Sequence, residues 1–235
     1  MVEQHLLPGR AILEYHRGHR GSVIRTRING RPDQPMNPAL FFRPFREMKA
    51  YEKEALRRCR GHILDIGAGA GSHSLVLQRR GHTVTALERS VEAAQVITER
   101  GVHRVLCKDI MDIRNQRFDT LLLLMNGLGL AGTLDATKKL LRKMTNLLSP
   151  GGQIIGDSSD ILFYHVQSGR NLQDDRHYYG EVLFELSYRG KKETPLPWVY
   201  LDPGTLAEIC REVGLSVTIV QVNSNGHYLA VLERK

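Results

Sequence analysis

Residues 63–90 constrain this chain more than any other stretch. An apolar strand, Ile63-Leu64-Asp65-Ile66, runs into Gly67, Gly69 and Gly71; a short helical pattern and a second strand follow, and that strand closes on Glu88. Glycine-rich turns between a strand and a helix let the backbone approach a ligand closely, and an acidic residue about 20 positions on accepts hydrogen bonds from ribose hydroxyls. The stretch reads as a nucleoside-cofactor pocket.

Two details narrow the cofactor. A dinucleotide fingerprint wants glycine at the first, third and sixth positions of the turn, whereas the sixth position counted from Gly67 is Ser72 and the extra glycine falls one place early, at Gly71. NAD and FAD are disfavoured. Asp65, two residues before the first glycine, would meet a pyrophosphate as an unwelcome carboxylate, but it suits the sulfonium and ammonium charges of S-adenosylmethionine. The acid points to methyl transfer.

Asp65-Ile66-Gly67-Ala68-Gly69-Ala70-Gly71, with Glu88 and then Lys108-Asp109-Ile110, resembles the first three motifs of the class I S-adenosylmethionine-dependent methyltransferases. The resemblance extends from about His62 to the end. Leu124-Met125-Asn126-Gly127-Leu128-Gly129-Leu130, Asp157-Ser158-Ser159-Asp160 and Pro197-Trp198-Val199-Tyr200 resemble a group of bacterial methyltransferases whose acceptors are unassigned. The resemblance implies a Rossmann-like α/β fold with a seven-stranded, mostly parallel sheet and an antiparallel last strand. It also implies S-adenosyl-L-methionine as cofactor, held by Asp65, Gly67, Ala68, Gly69, Gly71, Glu88, Arg89, Asp109, Ile110 and Asn126. Arg43 is a further candidate, for the cofactor's carboxylate.

Alternating strand and helix patterns support that fold. His62–Ile66, Thr83–Glu88, Val105–Cys107, Phe118–Met125 and Gln153–Gly156 read as five successive strands, with helices between them capped by Ser90 and Thr133. Ser149-Pro150-Gly151-Gly152 is expected to stop the helix before the fifth strand. After a helix begun by Pro203, strands at Ser216–Val222 and His227–Leu232 flank Asn223-Ser224-Asn225-Gly226, a turn of residues that tolerate positive φ.

Two segments fall outside the alternation. Residues 1–60 are expected to form a helical lid that binds the acceptor, with helices near Ala11–His16 and Pro44–Arg58 and a loop through Pro32, Pro35 and Pro38. Residues 61–235 form the cofactor-binding domain, interrupted at about 161–200 by an inserted hairpin in which Glu181–Tyr188 alternates and Arg189-Gly190-Lys191-Lys192 turns the chain. Of the net charge of +8, residues 1–60 carry +7, from 13 Lys/Arg against 6 Asp/Glu. That excess would draw an anionic acceptor or RNA, although nucleic acid is not favoured, because no RNA-binding motif is present and aromatic residues are only 6% of the chain.

At 235 residues and 41% hydrophobic, the chain can bury one substantial core. Cys59, Cys107 and Cys210 are scattered, odd in number and without metal-ligand spacing, so no metal is expected and a cytoplasmic location is. The leading function is methylation of a small molecule; the alternative is an RNA or protein acceptor reached through the basic segment. Tyr15, His16, His165, His177, Tyr178, Tyr179 and His227 are candidate bases that the sequence does not rank, and Asp157 and Asp160 are candidates for orienting the acceptor. No catalytic residue is assigned.

Overall fold

The computed structural model describes residues 6–21, 23–31, 34–162 and 178–235. His165, His177 and Pro32 lie outside them. The N-terminal segment forms α1 (Leu7–His16), β1 (Ile24–Ile28), β2 (Gln34–Met36), two short 3-10 turns (Pro38–Phe42 and Phe45–Glu47) and α2 (Ala50–Arg58). The helix expected from Pro44 therefore starts six residues later, where the Glu52 carboxylate reaches back 2.7 Å to the Lys49 N–H and caps the first turn.

After α2 the chain builds a large sheet. Its elements are β3 (His62–Ile66), α3 (Ser72–Arg79), β4 (Thr83–Glu88), α4 (Val91–Glu99), β5 (Val105–Cys107), β6 (Phe118–Leu123), α5 (Leu134–Leu147) and β7 (Leu148–Ser159). After β8 (Glu181–Tyr188), β9 (Lys191–Lys192) and β10 (Leu196–Val199) come α6 (Pro203–Glu212), β11 (Leu215–Val222) and β12 (His227–Arg234). The seven-stranded sheet runs in the order β11-β12-β7-β6-β3-β4-β5, and β12 is antiparallel to both of its neighbours. This is the expected architecture.

Why β6 shows no alternation is plain from its two faces. Leu121 and Leu123 pack with Leu140, Leu141 and Met144 of α5, while Leu122 packs on the other side with Leu56 of α2 and Val76 and Leu77 of α3. Covered on both faces, the strand must be apolar throughout. Ser149-Pro150-Gly151 does not precede β7 but lies within it, as an irregularity between the pairings Phe118↔Leu148 and Thr120↔Gln153. The hairpin turn closes as expected, with Asn223 N donating to His227 O over 2.7 Å.

The two additions are joined to each other. β1 pairs antiparallel with β8, from Arg25↔Ser187 to Ile28↔Phe184, and β10, β8, β1 and β2 form a second sheet with β9 also on β8. The inserted hairpin is therefore present, and the lid contributes two strands to it besides its helices. Among the described residues no helix is long and apolar enough to cross a membrane.

Candidate active site

The glycine turn leaves β3 in a conformation few residues can follow. Gly67, Gly69 and Gly71 have φ of 71°, 61° and 76°, in the left-handed region, and Gly67 N and Ala68 N both donate to Leu87 O, at 2.8 and 3.1 Å. Their surroundings differ. A β-carbon on Gly71 would press against Ile97 and Val102 at 3.2 and 3.3 Å, so this glycine lets the turn pack on α4. On Gly67 it would meet nothing within 4 Å, and on Gly69 it would sit 3.1 Å from the Phe41 ring of the N-terminal segment. Phe41 also accepts a 2.7 Å bond at its carbonyl from the Ser72 hydroxyl. The lid thus touches the turn directly.

Glu88 ends β4 beside that turn. Its carboxylate accepts from Gly69 N (2.9 Å), Arg89 N (2.7 Å) and Ser90 N (3.0 Å). A carboxylate offers about four lone-pair sites, so one is left for a ribose hydroxyl. Burial pushes the Glu88 pKa up, and the three N–H donors pull it back. α1 crowds the same corner, because a β-carbon on Gly9 would fall 1.8 Å from the Ser90 hydroxyl oxygen. Asp109 caps the next turn through Met111 N (2.8 Å) and stands 3.8 Å from the Arg89 guanidinium, with Ile110 buried beside it. Asp65, Gly67 to Gly71, Glu88, Arg89, Asp109 and Ile110 are therefore gathered at the carboxyl ends of β3, β4 and β5.

Behind the turn runs a buried polar chain that the sequence reading did not foresee. Asp65 accepts from the Ser74 hydroxyl at 2.6 Å; burial pushes its pKa up, while the His73 charge and the Ser74 bonds draw it down. His73 Nε2 lies 2.9 Å from Glu52, which is fully buried and accepts two Arg43 N–H groups at 2.9 and 2.8 Å. Burial alone would raise the Glu52 pKa, but the His73 and Lys49 hydrogen bonds and the His73 and Arg43 charges hold it below the ordinary value. Arg43 also donates from Nε to Leu40 O at 2.9 Å. Three of its five donors are thus engaged within the protein, leaving two for any other acceptor. The available signal was Glu52 itself, a charge on the stripe made by Ala55, Leu56 and Cys59.

A second polar group stands at the ends of β6, β7 and β12. Met125 and Asn126, consecutive and neither glycine, have φ of 67° and 61°. Such residues cost about 1 to 3 kcal/mol each and persist only when their surroundings fix them. Here Asp157 accepts the Asn126 N–H at 2.7 Å, and the Ser159 hydroxyl donates to the Asn126 side-chain oxygen at 2.8 Å. Asp157 is also 2.7 Å from His227 Nε2, and the His227 ring packs 4.0 Å from that of Tyr51. Among the described residues, Asp157 Oδ1, His227 Nδ1 and Trp198 Nε1 are buried with no hydrogen-bond partner. Trp198 belongs to β10, which crosses the turn after Asn126 so closely that a β-carbon on Gly129 would meet the Val199 carbonyl oxygen at 2.2 Å.

The other candidate bases are engaged elsewhere. His16 is 3.1 Å from Glu99, and Arg20 donates to the Tyr15 hydroxyl at 3.1 Å; both flank a cavity of about 250 Å³ that Arg43 also lines. Tyr178 donates to Asp202 at 2.7 Å and Tyr179 to Asp160 at 2.8 Å, and burial with these carboxylates pushes both phenols well above their usual range. Among the described residues no cluster of His, Cys, Asp and Glu could hold a metal ion.

Residues 63–152 match the family described as "Methyltransferase domain". No curated protein sequence matches this chain. Among solved structures, a SAM-dependent methyltransferase from Bacteroides fragilis in complex with S-adenosyl-L-homocysteine is 32% identical, the match covering 97% of this chain and 94% of that one, with a TM-score of 0.88. The DhpI-SAM-HEP complex is similar over 99% of this chain and 100% of that one, at 19% identity and a TM-score of 0.64. The sugar N-methyltransferase KedS8 from Streptoalloteichus sp. is similar over 84% and 92%, at 16% identity and a TM-score of 0.57. At those identities the latter two share the fold.

Proposed function

Because the chain belongs to the class I S-adenosylmethionine-dependent methyltransferases, for which S-adenosyl-L-methionine is the cofactor, we propose that it methylates a small molecule. The observation that carries this reading is the second sheet. It joins the N-terminal segment to the insertion after β7 and docks on the turn after β6 through β10, while Phe41 meets the glycine turn, so the protein's own segments flank the strand ends. In an open α/β sheet the crevice outside those ends is the ligand site. A crevice flanked in this way suits a compact acceptor better than a broad macromolecular surface. Sugar and amino pentose methyltransferases among the fold relatives fit the same reading.

The basic segment gives the alternative less support than its charge suggests. Arg10 pairs with Glu14, Arg43 with Glu52, and Arg57 and Arg58 with Glu54, and Arg20 lies against Tyr15. These four ion pairs use Glu14, Glu52 and Glu54, acids already counted in the segment's +7, so they occupy the side chains without lowering the net charge.

In the proposed division of labour, Gly67, Ala68, Gly69 and Gly71 admit the cofactor's nucleoside, Glu88 accepts from its ribose and Asp65 faces its ammonium. Asp109 and Ile110 border the adenine, with Arg89 beside them; Asn126 lies toward the reacting end, and the two remaining Arg43 donors suit a carboxylate. The cofactor supplies an electrophilic methyl group on a good leaving group. What the protein must add is alignment and exclusion of water. Incubation with methyl-labelled S-adenosylmethionine and a fractionated bacterial extract tests the reading. Label is expected in the small-molecule filtrate; label confined to RNA or protein would overturn it.

A further inference from the structure

Among the described residues nothing donates to Asp157 Oδ1 or pairs with His227 Nδ1, both buried, and the two residues are bonded to each other. The 2.7 Å contact between His227 Nε2 and Asp157 Oδ2 fixes the imidazole proton on Nε2, because a carboxylate only accepts. In the neutral imidazole Nδ1 then presents a lone pair. Asp157 is fully buried and its Oδ2 already takes the Asn126 N–H, so its Oδ1 is likewise a lone-pair acceptor with no donor. Leaving an acceptor buried and unpaired destabilises a fold, and two such atoms in one bonded pair require a reason.

Position supplies it. β7 lies two strands from β3, roughly 10 Å at ordinary strand spacing, and β12 begins where β7 ends, as the pairing His227↔Ser159 shows. Both side chains stand at the carboxyl ends of the parallel strands, on the α2 face, with Tyr51 against the imidazole. The number of missing donors then selects the ligand. A hydroxyl brings one hydrogen, whereas an amino group brings two or three.

Resting on the small-molecule reading above, we propose that His227 Nδ1 and Asp157 Oδ1 seat an amino group of the acceptor, and that His227 is the general base that prepares it for methylation. The acceptor enters as an ammonium ion, one of whose N–H bonds breaks as its proton passes to Nδ1. The freed electron pair on nitrogen forms the new N–C bond as the C–S bond breaks, and that bond's electron pair goes to sulfur, leaving a neutral thioether. The imidazolium returns its proton to water. Asp157 is a positioning residue, holding the Nε2–H tautomer and balancing the transient charge. The other ionisable groups around the pair are Tyr51 from α2, which burial keeps protonated, Glu52 and Arg43 beside it, and Asp160 at the end of β7.

The test combines binding and turnover. In ¹⁵N-labelled protein loaded with S-adenosylhomocysteine, methylammonium chloride should shift the His227 Nδ1 resonance, while sodium chloride at equal ionic strength and methanol should not. Transfer to the small-molecule filtrate should fall at least about 100-fold in His227→Gln, with S-adenosylhomocysteine affinity within about threefold of the wild type. Asp157→Asn should weaken the Nδ1 response to methylammonium. A silent Nδ1 overturns the proposal, as does a His227→Gln variant with wild-type turnover. Wild-type protein that methylates only macromolecules while Nδ1 still responds counts instead against the small-molecule reading. Should His227→Gln fail to fold, the methylammonium titration and Asp157→Asn decide.

Discussion

The glycine-turn corner and the second sheet are built on opposite plans. At the corner, Gly69 and Glu88 lie 19 residues apart and meet through one backbone bond, so a single strand-turn-helix-strand unit brings its own parts together. In the second sheet, Arg25 faces Ser187, and although β1 has β2 beside it and β8 has β9 and β10, the two hairpins join only when the chain between them has folded. Local geometry supplies the proposed cofactor site. Long-range pairing supplies what surrounds it, and the two meet where Phe41 touches Gly69 and β10 crosses the turn after Asn126.

The sharpest way to break this division is Gly69→Asp. The position has φ of 61°, its β-carbon would press on Phe41 at 3.1 Å, and the new carboxylate would stand beside Glu88. Calorimetry should find no S-adenosylhomocysteine binding. Retained affinity would mean that the turn is not where the cofactor lies.

Arg43→Met comes next, because it links the lid to the corner. It strips Glu52, fully buried, of its guanidinium partner, and removing one member of a buried pair costs about 3 to 5 kcal/mol. Urea unfolding measures it. The pH dependence has a definite sign. The folded pKa of Glu52 lies below its ordinary 4.5, so its stabilisation is complete above about pH 4.5 and is lost as pH falls through the folded value. Wild-type stability should therefore decline in that acid window, and the variant should decline less.

Much of the corner was legible for the reason just given. His62–Ile66, Thr83–Glu88 and Val105–Cys107 fold over the very residues their patterns predict, since apolar runs bounded by glycines and caps carry their own limits. Three-residue β2, with Pro35 in its middle, gives no such pattern and exists only because β1 is there to pair with it. Arg43 and Glu52 were individually visible, but their pairing depends on where α2 packs. The same holds for Asp157 and His227, whose contact is a matter of β7–β12 register; an alternating strand shows only that both could face one side.

Smaller effects sharpen the comparison further. Glu88→Gln should weaken S-adenosylhomocysteine binding by about 1 to 3 kcal/mol in a calorimetric titration, with the melting temperature nearly unchanged. A collapsed fold with normal affinity would make Glu88 structural. Reversing Arg17, Arg20 and Arg25 to Glu, on the lid's outer side, should leave cofactor affinity within about threefold, since exposed charges contribute little. If turnover on the native acceptor also survives at low salt, the basic lid is a solvated surface; a large loss would restore the anionic acceptor.

The central claim is that the Gly67–Gly71 turn and Glu88 hold S-adenosylmethionine and not a dinucleotide. Parallel calorimetric titrations of the wild-type protein with S-adenosylhomocysteine and with NADH test it most directly. The account predicts saturable one-to-one binding of S-adenosylhomocysteine and no heat from NADH; tight binding of NADH with no response to S-adenosylhomocysteine would contradict it.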